Sequence, residues 1–179
     1  GDGNETILGG DGNDAIDGGD GDDVVAGEGG NDMVTGGTGD DTYVFRAGDG
    51  QDLIIDAAGA DRIHFANRLS GEIKARRIES DLVLDAGDDR VTVRNWFAPA
   101  TGGVRAVQFS DGSEWDANRL RELVLTGTPG DDAITGYETD DTLAGLAGAD
   151  VLAGGVGNDS YVYRRGDGRD SIREAGGQD

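Results

Sequence analysis

Residues 9–26 read GGDGNDAIDGGDGDDVVA: two nine-residue units with glycine first, second and fourth, aspartate sixth and an aliphatic residue eighth. Gly9–Asp17 and Gly18–Ala26 fit that pattern fully. Gly27–Thr35 keeps its first and fourth glycines, Asp32 and Val34, and Gly36–Val44 carries Tyr43 in the eighth place. Upstream, GDGNETIL is a unit without its first glycine and with Glu5 in the acidic position. After two extra residues, Phe45 and Arg46, the period resumes and places Asp52 and Asp61. A second run begins at Gly127 and places Asp132, Asp141, Asp150 and Asp159. The same two-residue slip follows, then Asp170 and a partial unit ending at Asp179.

Residue chemistry explains the period. A short strand around the eighth residue turns one side chain inward, because strand side chains alternate between faces. Six residues must then reverse the chain, and glycine supplies the positive-φ conformations such a turn requires. Two units close one 18-residue coil, so equivalent turns recur every second unit. Glu5, Asp23 and Asp41 then stack on one side, and Asp14 and Asp32 on the other. Like charges at strand-stacking distance are destabilising unless a cation lies between them. The donors are all oxygen, from carboxylates and peptide carbonyls, which suits a hard cation. Ca²⁺ accepts six to eight such ligands at irregular angles, whereas Mg²⁺ demands a tight octahedron. The expected metal is calcium. Ile16, Val25, Val34, Ile134, Leu143 and Leu152 would form a thin core that no single repeat could bury alone.

Composition points the same way. The 179 residues carry a formal net charge of −22, 34 glycines and only 35% hydrophobic residues. Such a chain does not bury a core unaided. Residues 1–61 hold 16 acidic residues against Arg46 alone, and residues 127–179 hold 11 against four arginines. Residues 62–126 balance ten acids with ten bases. There is no cysteine, which excludes disulfides and thiolate metal sites, and His64 is the single histidine. No run approaches the ~20 apolar residues of a membrane span. Nucleic acid is excluded as a partner by the sign of the field.

With these units in view, the sequence resembles the RTX, or haemolysin-type, calcium-binding repeats, the nonapeptide for which G-G-x-G-x-D-x-U-x is the recognised signature. The resemblance implies an all-β fold: two right-handed parallel β-roll blocks flanking a small, mainly β module with one short helix. It implies several Ca²⁺ ions, each between same-side turns of neighbouring coils. Their ligands would be Glu5, Asp14, Asp23, Asp32, Asp41, Asp52, Asp61, Asp132, Asp141, Asp150, Asp159 and Asp170, with backbone carbonyls of Gly10, Gly12, Gly19, Gly21, Gly27, Gly29, Gly37 and Gly39. Thr139 stands where positive φ is wanted, and Tyr137 and Leu146 replace second-position glycines. More ions are therefore expected in the first block than in the second. The resemblance also implies a secreted or cell-surface protein that meets type I export machinery.

Residues 62–126 read differently. RIHFA, RIESDLVLDAG, RVTVRNWF and VRAVQFSDGSEW alternate as short strands, with a tight turn at SDGS. WDANRLRELVL reads as one helix capped by Asp116. VTVRNWF with VQFSDGSEWD resembles the haemolysin-type calcium-binding-related region found beside such repeats. The expected division is residues 1–61, 62–126 and 127–179. Positions 9–61 also align with 127–179 at a constant offset of 118, which suggests further copies in a longer parent chain.

Other readings of these residues compete. A Gly/Asp-rich tract is often a disordered linker, but disorder needs no aliphatic residue at every ninth position. Collagen requires glycine every third residue, and an EF-hand requires a loop spacing that is absent. The middle segment could be a carbohydrate-binding or adhesin-like unit, with Trp96 or Trp115 as a sugar platform on a surface glycan. Acidic pairs invite a glycosidase reading, but here the acids follow from repetition, and no enzymatic activity is expected.

Overall fold

The computed structural model describes residues 1–56, 58–98 and 103–178. Asp179, the last acid of the partial unit, lies outside them. The chain divides into two units, Gly1–Asn118 and Arg119–Asp179.

In the first unit each repeat contributes one strand: β1 (Thr6–Asp11), β2 (Ala15–Asp20), β3 (Val24–Gly29), β4 (Met33–Thr38), β5 (Thr42–Phe45), β6 (Gln51–Ile54) and β7 (Asp61–Phe65). Odd strands pair in parallel in one sheet and even strands in another, so the chain alternates between two sheets as a solenoid. Tyr43 lies opposite Val25 and Ile63, and Val34 lies opposite Ile16 and Ile54. The step between partners is 18 residues in the early coils and 20 across the slip, where Met33 faces Leu53 and Thr42 faces Arg62. The two additional residues are taken up in the turn, where Asp49 Oδ2 accepts the Arg46 N–H at 2.7 Å. The inward phase of the strands is thereby preserved. Val25, Val34, Tyr43, Ile54 and Ile63 are all buried, whereas Ile16, one coil nearer the open end, is only partly so.

The neutral segment continues these two sheets. Strands β8 (Lys74–Ile78), β9 (Asp81–Ala86) and β10 (Asp89–Val93) form an antiparallel meander, and β10 pairs in parallel with β6. Strand β11 (Val104–Phe109) pairs in parallel with β7 and turns at Ser110–Ser113 into β12 (Glu114–Asp116). Asp111 fixes that turn by accepting the Ser113 N–H and hydroxyl. Phe45, Phe65 and Phe109 lie in line across β5, β7 and β11, with centroids 6.1 and 6.0 Å apart, and Trp115 meets Phe109 edge-on at 4.7 Å. The inward column of the repeats continues in β11 as Val107, opposite Ile63, and the aromatic column stands beside it, two residues along each strand. Trp96 donates its indole N–H to the Val104 carbonyl and meets Phe97 edge-on. The expected helix is present as α1 (Ala117–Leu123), with Leu120 fully buried.

The second unit repeats the solenoid with shorter strands. β13 (Ala133–Thr135), β15 (Val151–Ala153) and β17 (Ser171–Arg173) form one sheet, and β14 (Thr142–Ala144) and β16 (Ser160–Val162) the other. Leu125, Ile134, Leu143 and Leu152 form its core, with Tyr137 and Tyr161 against it.

The cores are one residue wide, so truncating one rung should be costly. Ile54→Ala is expected to lower the stability of the calcium-loaded protein by about 2–5 kcal/mol. Met33→Ala, on the exposed face of a neighbouring strand, should change it by less than about 0.5 kcal/mol. Urea unfolding in saturating calcium measures both.

Candidate metal centre

The nine-residue period brings the sixth-position acids into columns. In the first unit one column runs Glu5, Asp23, Asp41, Asp61, and the other Asp14, Asp32, Asp52. Each aspartate reaches back one coil and accepts the backbone N–H of the acid behind it. The Glu5 N–H meets Asp23 Oδ1 at 2.8 Å, the Asp23 N–H meets Asp41 Oδ1 at 2.8 Å, and the Asp41 N–H meets Asp61 Oδ1 at 3.1 Å. In the other column Asp14 bonds Asp32 and Asp32 bonds Asp52, both at 2.9 Å. The second unit does the same from Asp132 to Asp150, Asp141 to Asp159 and Asp150 to Asp170.

The second oxygen of these carboxylates is the informative one. Oδ2 of Asp14, Asp23, Asp32, Asp41, Asp61 and Asp150 is buried and accepts no hydrogen bond from the protein, whereas Glu5 Oε2 lies 3.5 Å from the N-terminal ammonium. Asp23, Asp32, Asp41, Asp61 and Asp150 are only 1–2% exposed. A buried carboxylate oxygen without a donor carries a desolvation cost of several kcal/mol unless a cation or proton meets it. What surrounds it is more oxygen. Asp14 Oδ2 and the Gly27 carbonyl lie 2.8 and 2.6 Å from where a Cβ on Gly9 would stand. The first-position glycine therefore leaves a cradle between its own unit's carboxylate and the next coil's carbonyl, and any side chain would fill it. Second- and fourth-position carbonyls crowd similarly: those of Gly19 and Gly21 abut Gly37 and Gly39, and that of Gly12 abuts Gly30. Gly10 pairs across the sheet with Glu28, and the Gly29 carbonyl accepts the Gly12 N–H at 2.6 Å. A hard divalent cation fits this donor set, and no nitrogen or sulfur ligand competes.

The electrostatics record the same strain. Burial pushes Asp52 and Asp61 up to about 7, with the neighbouring Asp32 and Asp56 charges adding to the effect respectively. Burial likewise raises Asp41, Asp49 and Asp150.

Two units of the second run differ. Asp132 Oδ2 accepts the Thr128 N–H and hydroxyl, and Asp141 Oδ2 accepts the Tyr137 N–H. Those oxygens are already committed within their own turns. Thr139 and Tyr137 stay outside the left-handed region, while Leu146 enters it at φ 68°, as does Glu28 in the first run. A non-glycine there costs on the order of 1 kcal/mol.

Two sets of residues went unread in the sequence. Fifth-position side chains reach forward: Asn4 accepts the Asp22 N–H, Asn13 the Asn31 N–H, and Asp22 the Asp40 N–H, each at 2.9 Å. Consecutive same-side turns are thus stitched by two side-chain bonds of opposite direction, and the recurrence of Asn or Asp at that place was the available signal. The second is Asp56. Its carboxylate accepts the Tyr43 hydroxyl, and Asp41, Asp56 and Asp61 each offer an oxygen within 4.8 Å of the others.

A parallel solenoid with acid columns on its turns defines the class, a metal-binding repeat protein. The repeats themselves are RTX calcium-binding nonapeptide repeats: that family's profile matches residues 1–34, 18–43 and 126–161. The haemolysin-type calcium binding protein related domain matches residues 82–119. No curated protein sequence matches the chain significantly. Among solved structures, extracellular lipase LipA from Serratia marcescens is similar at 21% identity and a TM-score of 0.41, over 96% of this chain and 29% of that one. The chain spans under a third of that lipase's length.

The raised carboxylates set a pH dependence. With pKa values of about 7 folded, against 3.8 ordinarily, Asp52 and Asp61 bind more protons folded than unfolded between pH 4 and 7. Their contribution to the metal-free fold is complete below pH 3.8 and is lost as pH rises through 7. In chelator, β circular dichroism should be stronger at pH 5 than at pH 8, and the order should reverse in millimolar calcium.

Proposed function

We propose that the chain is a structural module of a secreted bacterial protein that folds when extracellular Ca²⁺ fills its acid columns. The observation that carries this reading is the row of buried carboxylate oxygens without protein donors in Asp14, Asp23, Asp32, Asp41, Asp61 and Asp150. The ions would be held by Glu5, Asp14, Asp23, Asp32, Asp41, Asp52 and Asp61 in the first block and by Asp132, Asp141, Asp150, Asp159 and Asp170 in the second, with first-, second- and fourth-position carbonyls. Calcium supplies the positive charge that joins turns which otherwise repel. Binding free energy then becomes folding free energy. Extracellular calcium modules bind at roughly 10⁻⁴–10⁻³ M, so such a chain stays open in calcium-poor cytosol and closes outside, which suits export as an unfolded thread.

The first block takes more ions in this reading, because Asp132 and Asp141 each have their second oxygen engaged locally. The division at 1–61, 62–126 and 127–179 is one of labour. The charged blocks respond to calcium, and the neutral segment supplies a metal-independent aromatic core on which the first block's sheets end.

Far-UV circular dichroism of the chain should show coil in chelator and β structure in millimolar calcium, with magnesium at equal concentration failing to substitute. A β-rich spectrum after exhaustive removal of divalent metal would refute coupled folding. Asp32→Ala should raise the calcium midpoint at least about tenfold, whereas Asp20→Ala, at an exposed third position, should shift it by less than about twofold.

A further inference from the structure

The column Glu5, Asp23, Asp41, Asp61 runs beside a column of first-position residues, Gly18, Gly36 and, 20 residues on, Asp56. At Gly18 the cradle is closed by the Gly36 carbonyl and the Asp23 carboxylate. At Gly36 the position its Cβ would take is crowded by the Asp41 carboxylate and by the Tyr43 hydroxyl, 2.6 Å away. The next first-position residue contributes a carboxylate where the repeat has glycine. Tyr43 holds it there, accepting the Gly36 N–H at 2.8 Å and donating to Asp56 Oδ2. The Ala58 N–H fixes the other Asp56 oxygen at 3.1 Å.

We propose that Asp41, Asp56 and Asp61 form a calcium site of a different class from the rest, with three carboxylates instead of two, and that it is the tightest site and the first to fill. The proposal rests on the calcium reading above and deepens it at one site. Asp41 and Asp61 are each 1% exposed and each keeps an Oδ2 that accepts no hydrogen bond. Three ligand oxygens lie within 4.8 Å of one another, and oxygens sharing one Ca²⁺ at 2.3–2.6 Å stand at most about 5 Å apart. Affinity in such sites follows ligand charge and rigidity. Here the third charge is added and all three carboxylates are anchored by protein hydrogen bonds, Asp41 Oδ1 by the Asp23 N–H and Asp61 Oδ1 by the Asp41 N–H. At the offset of 118 the second run places Tyr161 and Glu174 where the first has Tyr43 and Asp56. An acid therefore replaces the first glycine in both runs, opposite a tyrosine. The site lies where the repeats hand over to the neutral segment, since Asp61 opens β7 and β7 carries β11. An ion bound there first would pin the last coil of the roll against the preformed aromatic core, and the remaining coils would add from that end.

The test is calorimetric titration of the whole chelator-treated chain with Ca²⁺, with circular dichroism on the same samples. The wild type should bind one ion of the first unit at least about tenfold more tightly than the others. Asp56→Asn keeps an acceptor for Tyr43 but removes the charge. Asp56→Gly installs the residue that the column carries at its other coils. In both, the tight class should disappear while the weaker ions and the calcium-induced β signal persist. Asp17→Asn removes an equal charge from an exposed ninth position and should leave the tight class unchanged. A tight ion retained in either folded Asp56 variant, or lost equally in Asp17→Asn, would overturn the proposal, as would a wild type whose ions all bind alike. A wild type that binds no calcium would instead overturn the broader reading.

Discussion

Everything in this solenoid depends on how a buried carboxylate divides its two oxygens. In each column one oxygen is bonded to the backbone of the coil behind, at 2.8–3.2 Å. That bond fixes the acid's position and draws the coils together. In Asp23, Asp32, Asp41, Asp61 and Asp150 the second oxygen meets no protein hydrogen-bond donor, and beside Asp23 the Gly36 carbonyl of the neighbouring turn closes in. The apolar interior beside it is thin, because each coil contributes only two inward side chains. A cation between the turns would convert the least favourable contact into one that holds neighbouring coils together.

The same geometry explains why the turns tolerate so little variation. Gly37 adopts a φ of 113° with the Gly19 carbonyl packed against it, so both conformation and space exclude a side chain. Where the sequence departs, the carboxylate finds another donor, as Asp132 and Asp141 do with the N–H groups of Thr128 and Tyr137. The repeats therefore share a fold while differing in single hydrogen bonds at the acid.

The neutral segment solves the opposite problem. A parallel roll ends in an unpaired strand edge, which invites association with other chains. Here β10 and β11 take those edges, and antiparallel strands of balanced charge follow. Asp85 lies between Arg76 and Arg90, and Asp89 pairs with Arg68 at 2.8 Å. The aromatic line from Phe45 to Trp115 gives this end an aromatic core.

The period of nine was legible from residues 9–26 alone, and with it the two sheets, the inward aliphatic residues, the turns and the pairing of acids 18 residues apart. These are local and repetitive, so each unit states them again. The hairpin at Ser110–Ser113 and the helix at Ala117–Leu123 were legible for the same reason, since turn residues and helical spacing are short-range signals. What the sequence left open was everything set by a partner far along the chain. Nothing local assigns β10 to β6 or β11 to β7, distinguishes a fifth-position asparagine that stitches coils from one that faces solvent, or shows that Asp56 meets Asp41 and Asp61. The tertiary structure decided these, because a side chain's hydrogen-bond partner is chosen by the coil stacked against it, and only the folded stack determines which coil that is.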